Sequence, residues 1–262
     1  MQEMTNLSWP ETPLGSVTRP IQKQGTWLTA LSLLWGEADD EPVLMGAAAV
    51  FMKIHRTQSL PVSAPLIHFG YRVLLPDSLG QTAEIVRHLD VALVQSRRKA
   101  QFVAWHNGAD DLHVLTQLPR AEGEPRHPGV SAVAAGWRNR TAREKGVARY
   151  VDTSHDLGPV GLVSDTAAAH GLEPLKRFAG PQQQESAQQA CDALAAGRSA
   201  GDSRDALAAS VLSSAVITAL LCGKHSGRLH WDEPLRLFDV LFAAAWQIAP
   251  SVLGGVASAR TE

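Results

Sequence analysis

FVAWHNGADDLHVL, residues 102–115, is the stretch on which the reading of this chain turns. Its first four residues are apolar and end in Trp105, which reads as a short buried strand. His106, Asn107 and Gly108 break that run. Asp110 and Asp111 then open a helix with Leu112, Leu115 and Leu118 on one face, stopped by Pro119. A strand that passes into a helix in this way sets a carboxylate at the C-terminal end of a sheet, where ligands and metals collect in α/β folds. An acid in a first helical turn also serves as a simple dipole partner, so the segment alone leaves both readings open.

Upstream lie three apolar runs: TWLTALSLLW at 26–35, VLMGAAAVFMKI at 43–54 and PLIHFGYRVLL at 65–75. The turn-rich GEADDEP at 36–42 separates the first two, and Pro76-Asp77 closes the third. This spacing predicts three sequential, antiparallel strands. Ser78 and Gln81 fit a capping box, and Ile85, Leu89, Ala92 and Leu93 repeat at helical spacing up to Arg97-Arg98-Lys99. Downstream, residues 120–146 are rich in Gly, Pro and charge and read as a loop with room for one short helix. Residues 147–151 read as a fifth strand and 162–170 as a short helix ended by Gly171. A Gln/Ala helix is expected over about 182–196, then a flexible link at 197–203. Asp205 is expected to cap an apolar helix at 206–222. A last amphipathic helix, about 235–246, carries Leu235, Phe238, Leu241, Phe242 and Ala245. Residues 1–24 and 250–262 read as tails around one domain at 25–249. The class is α/β, with a mixed sheet of three antiparallel strands followed by alternating helices and strands, covered by helices.

Composition narrows the function. Lys and Arg number 24 against 26 Asp and Glu, a net charge of −2, so no global basic field points to nucleic acid. The two cysteines, Cys191 and Cys222, cannot form a disulfide framework, which points to a reducing, cytoplasmic setting. The N-terminal residues contain no apolar signal core. The helix at 206–222 carries Ser210, Ser213, Ser214 and Thr218, which favours a buried helix over a membrane span. HExxH, paired Cys/His spacing, GxGxxG after a strand and GxSxG are all missing from the sequence. Ser154-His155-Asp156 holds triad letters, but consecutive residues do not converge as a triad does.

The 102–115 stretch resembles the second motif of the DnaQ-like 3′–5′ exonucleases, in which a strand runs into His-Asn and a metal-binding Asp follows four residues after the Asn. On that resemblance Asn107 leads to Asp111, with Asp110 where an aromatic is usual. Tyr150-Val151-Asp152-Thr153, followed by LVSDTAAAHGL at 162–172, is similar to the family's strand ending in Asp-Thr, short helix and Gly-Leu. The resemblance spans roughly 25–222 and implies a ribonuclease-H-like fold, with Asp111 and Asp152 as catalytic residues, Asp111 as metal ligand and Mg²⁺ or Mn²⁺ as cofactor if the chain is active. It also implies four acids holding two cations. The first strand, where Asp-x-Glu belongs, carries no carboxylate over 27–34. Glu37, Asp39, Asp40 and Glu41 lie beyond it in a turn, and Ala209 or Ser210 stands where the last acid is expected. The expectation is a degenerate exonuclease fold without catalysis and without a cofactor.

A local basic patch survives the neutral total. Arg138, Arg140, Arg143, Lys145 and Arg149 cluster with Trp137, opposed by Glu144, and Arg97, Arg98 and Lys99 extend the patch if the insert folds back. Cations beside an aromatic can track a phosphate backbone and stack a base, and a solvated surface segment is the plainer account. Trp27, Trp35 and Trp105 read as core. Three functions follow: a silent domain that binds single-stranded nucleic acid or a protein, an active metal-dependent 3′–5′ exonuclease with a rearranged acidic site, or a purely structural protein that docks a partner through the helix at 235–246.

Overall fold

Two interleaved sets of apolar side chains build the sheet, and the helices form on whichever side each set is presented. The computed structural model describes residues 1–7, 25–63, 67–118, 127–142, 144–158, 161–175, 181–198 and 203–243. In chain order the first elements are β1 (Gln2–Thr5), β2 (Gly25–Ala38), β3 (Glu41–His55), β4 (Leu60–Pro61), β5 (Phe69–Leu75), α1 (Thr82–Lys99), β6 (Phe102–Trp105), α2 (Gly108–Gln117) and α3 (Pro128–Arg138). Then come β7 (Arg149–Asp152), α4 (Thr153–Asp156), α5 (Val163–Ala169), β8 (Leu172–Glu173), α6 (Pro181–Ala195), α7 (Ser203–His225), β9 (Leu229–His230), β10 (Leu235–Arg236) and α8 (Leu237–Ala243).

The chain is an α/β protein with a mixed six-stranded sheet in the order β1-β5-β3-β2-β6-β7. The β2, β3 and β5 strands pair antiparallel, and β6 and β7 continue parallel to β2. Leu28, Ala30 and Leu34 of β2 with Phe102 and Ala104 of β6 face one core, shared with α6 and α7. Leu31 and Leu33 with Val103 and Trp105 face the other, shared with α1, α2 and α3. This period-2 alternation is what a strand between two helical layers requires.

Register slips once, between Leu34 and Trp35 of β2. Leu34 pairs with Gly46 and Trp35 with Leu44, so Met45 is an extra residue on β3. Such a bulge raises the local twist and re-aims the side chains beyond it. Trp35 lies just past this point, packed on the α1–α3 side. The hairpin then closes on Asp39-Asp40, both at positive φ (53° and 62°), between the paired Ala38 and Glu41. Two residues in that conformation make the turn whose twist matches the strands. The turn expected over 36–42 is therefore only two residues long, and β2 and β3 extend into its flanks.

The apolar helix is α7, 23 residues long and buried on nearly every side. By length and composition it could cross a membrane, yet 94% of its apolar window is buried inside the protein. Two of its buried hydroxyls bond back to the helix: Ser213 Oγ donates to the Ala209 carbonyl and Thr218 Oγ1 to that of Ser214, whereas the Ser210 hydroxyl has no partner among the described residues.

Several expectations are corrected. The first residues are not all tail: β1 adds to the sheet edge on β5, with Asn6 Nδ2 donating to the Phe69 carbonyl and Asn6 Oδ1 accepting from the Tyr71 amide. Residues 8–24 of that expected tail, the helix stop Pro119, 120–126 and 143 of the insert, Ala245 and Trp246 of the last helix, and the tail at 250–262 lie outside the described residues. The 120–146 insert carries a full 11-residue helix, α3, begun by Pro128 at its first position. The capping box expected at Ser78 and Gln81 does not form: Ser78 makes no side-chain cap, and Gln81 accepts from the Asp77 amide instead. Asp205 sits within the first turn of α7, because that helix begins at Ser203. Leu235 and Arg236 form β10 against β8, so the last helix starts at Leu237.

Replacing Asp39-Asp40 by Asn-Gly should stabilise the protein by about 0.5–1 kcal/mol, since both residues tolerate positive φ better than Asp. Urea unfolding of parent and D39N/D40G checks this. A lower midpoint for the variant would show that the Asp pair does more than turn the chain.

Candidate functional site

The β6 strand ends at Trp105, and the chain reverses through His106 and Asn107, which takes a left-handed conformation (φ 58°) before α2. The Asn107 carbonyl accepts from the amides of Asp110 and Asp111, so both acids ride on the first turn of α2. Asp111 turns inward and Asp110 stays exposed.

Both oxygens of Asp111 are taken. Oδ1 accepts from Trp35 Nε1 at 2.8 Å and Oδ2 from Trp105 Nε1 at 2.7 Å. The residue keeps some accessible surface, but its carboxyl group is set deep among protein atoms. Burial pushes that carboxyl up to about 7, against the pull of the two indole donors, and the charges of Asp110 and Asp152 add to the rise. Two fixed indole N–H dipoles are the donors that face this carboxyl.

Asp152, at the end of β7, is buried and also satisfied. Its Oδ1 accepts from the Ser154 hydroxyl at 2.7 Å and the Ser154 amide at 3.2 Å, and its Oδ2 from Trp137 Nε1 at 3.3 Å. It caps α4 rather than facing an open cleft. Its own amide donates to Asp156 Oδ2, while Asp156 Oδ1 pairs with Arg140 at 2.6 Å. His106 lies alongside, with Nε2 2.8 Å from the Gly161 carbonyl and Nδ1 3.1 Å from Thr153 Oγ1. The carbonyl requires a proton on Nε2, so in the neutral ring Nδ1 accepts from the threonine. Desolvation lowers the pKa of this imidazole and favours that neutral form.

Three indoles therefore tie the two predicted catalytic acids into the fold. Trp137 packs edge-on against Trp105 (centroids 6.2 Å apart) and at a tilt against Tyr150 (5.5 Å). Two glycines make room for this. A Cβ on Gly108 would lie 2.4 Å from Trp137, and one on Gly136 2.5 Å from Tyr150. The expectation that Trp137 stacks a base is corrected: the residue is 4% exposed and its N–H is spent on Asp152.

The structure does not bring the turn acids to Asp111. Asp39 and Asp40 form the hairpin tip, and Glu37 is exposed with its backbone bonded both ways to Gln188. Asp205 is on α7, next to Arg204, which pairs with Asp77. Among the described residues, no three His, Cys, Asp or Glu side chains converge. A pair of divalent cations needs several oxygen ligands, so the residues present do not fit one.

The basic patch divides. Arg138 and Lys145 are exposed, Arg140 is committed to Asp156, and Arg143 lies outside the described residues. The insert does fold back toward α1: Arg97 pairs with Glu144 at 3.5 Å, and its carbonyl accepts from the Ala148 amide. Sequence reasoning assigned Trp35 and Trp105 to the core and missed them as partners of Asp111. No family model and no curated protein matches this chain.

Because the folded protein holds Asp111 with a raised pKa, the native state binds more protons than the unfolded chain between about pH 4 and 7. Its contribution to stability is therefore complete below pH 4 and is lost as pH rises through 7. The loss should be on the order of 2 kcal/mol, discounted from the fully dry limit because water still reaches part of the residue. Asp111→Asn should flatten the pH 5–8 stability profile by that amount in urea unfolding. Parallel profiles for parent and variant would exclude a raised Asp111.

Proposed function

We propose that this chain is a catalytically silent protein of the ribonuclease-H-like, DnaQ-exonuclease-like class that binds single-stranded nucleic acid. Support for the fold assignment comes from the strand order: three antiparallel strands, then two parallel to the first, with a helix after the third and after the fourth. The motif resemblance at 102–115 and 150–153 falls on the matching strand ends.

One observation carries the silent reading: both oxygens of Asp111 accept indole protons at 2.7–2.8 Å. A carboxylate so engaged would have to break two buried hydrogen bonds to ligate a cation, and each indole N–H would then be left without an acceptor. The strand that should contribute two more acids contributes Ala30, Ser32 and Leu34 on the α7 side and Leu31 and Leu33 on the other. The binding half of the reading is supported by the exposed Arg138 and Lys145 and by the gathering of Arg97, Arg140 and Arg149 near them. A protein-docking reading has its own support in α8, where Phe242 is 63% exposed and stacked on Phe238.

Labelled single-stranded oligonucleotide incubated with the protein and Mg²⁺ or Mn²⁺ should remain intact, with Asp111→Ala indistinguishable from parent. Metal-dependent shortening abolished by Asp111→Ala would overturn the silent reading. Binding should weaken as salt rises and fall again in Arg138→Ala/Lys145→Ala, and binding indifferent to both would remove the nucleic-acid reading.

A further inference from the structure

The C-terminal end of α3, the segment after it, the start of β7 and the end of α1 line a cavity of about 640 Å³. Its charged and polar lining is Arg97, Arg140, Lys145, Arg149, Asn139 and Tyr150, with Glu144 as the acid. Ala132, Ala135 and Gly136 make a small-residue wall that leaves the volume open.

Three lining residues carry buried polar atoms whose protons find no acceptor among the described residues: Nε of Arg97, Nε of Arg140 and the hydroxyl of Tyr150, whose oxygen faces the Arg97 guanidinium. All three are donors in need of an acceptor. Tyr150 is 8% exposed and lies beside the Arg97 guanidinium, which has protons to give and none to take. Burial also pushes the phenol's pKa upward, so the hydroxyl keeps its proton. Buried donors without acceptors are costly, and several on one cavity wall call for a ligand rich in acceptor oxygens. Glu144 and Asp156 offset Arg97 and Arg140 in part, whereas Lys145 and Arg149 make no ion pair among the described residues. Arg149 instead stacks over Phe102 at 5.9 Å, which holds it at the rim.

We propose that this cavity is a binding site for a terminal phosphate group, presented by a nucleotide or by the phosphorylated end of a nucleic-acid strand. A compact dianion at a chain end can bring several acceptor oxygens to donors gathered on one wall of this partly open pocket. Phosphate oxygens accept from guanidinium, ammonium and phenol alike. The site deepens the nucleic-acid reading above and separates from it in the test.

Titration calorimetry with the full chain uses four probes: adenosine 5′-monophosphate, adenosine, and one oligonucleotide with either a 5′-phosphate or a 5′-hydroxyl. The phosphorylated member of each pair should bind about tenfold more tightly, the weight of one charge-assisted hydrogen bond. Tyr150→Phe and Lys145→Gln/Arg149→Gln should erase that preference. Tyr150→Phe should also unfold at the same or a higher urea concentration than parent, because it deletes a buried hydroxyl whose proton has no acceptor. Preference for both phosphorylated probes identifies a strand end as a ligand, and preference for the mononucleotide alone identifies a free nucleotide and removes strand binding. Equal affinity within each pair overturns the site, even where the strand binds through Arg138. Destabilisation by Tyr150→Phe with the phosphate preference intact overturns it as well.

Discussion

The arrangement of this protein's sheet mouth rests on one carboxylate shared by two indoles. Trp35 comes from the far end of β2 and Trp105 from the end of β6, and Asp111 gathers both N–H groups from the first turn of α2. Remove the acid, and two large aromatic donors face each other without an acceptor. Remove either indole, and a desolvated carboxylate loses half of its stabilisation. The interaction also fixes α2 against the sheet, which in turn places Gly108 under Trp137 and seats α3 beside α1.

From this follows the difference between the scaffold and the chemistry suggested by its motifs. A cation site draws carboxylates together and keeps them charged and wet. Here Asp111 and Asp152 are each met by neutral donors, indole or hydroxyl, and packed among aromatic rings. Both acids help to hold the fold through these bonds. Basic side chains then gather elsewhere, around the cavity between α3 and β7, where donors outnumber acceptors.

Much of the architecture was legible in the sequence. Strands β2 and β3 are long apolar runs bounded by a turn signal, and α7 is an apolar segment too long for a strand. The His-Asn-to-Asp spacing correctly put Asp111 at the start of a helix after a buried strand. What could not be read is tertiary. Trp35 lies 76 residues from Asp111, and no local pattern links them. Trp137 looked like a surface aromatic among arginines because its burial depends on a missing Cβ atom at Gly108, on a different helix. The four residues of β1, QEMT, hold little strand signal and become a strand only because the edge of β5 is open to them.

The central claim is that Asp111 acts as an acceptor for two indoles and not as a metal ligand. Nitrogen-15 NMR of the indole N–H groups, with Trp35 and Trp105 assigned by substitution to Phe, tests it most directly. Both resonances should shift together as pH passes through about 7 and stay sharp when Mn²⁺ is added. Selective broadening of these two signals by Mn²⁺, with no shared titration, would contradict the account.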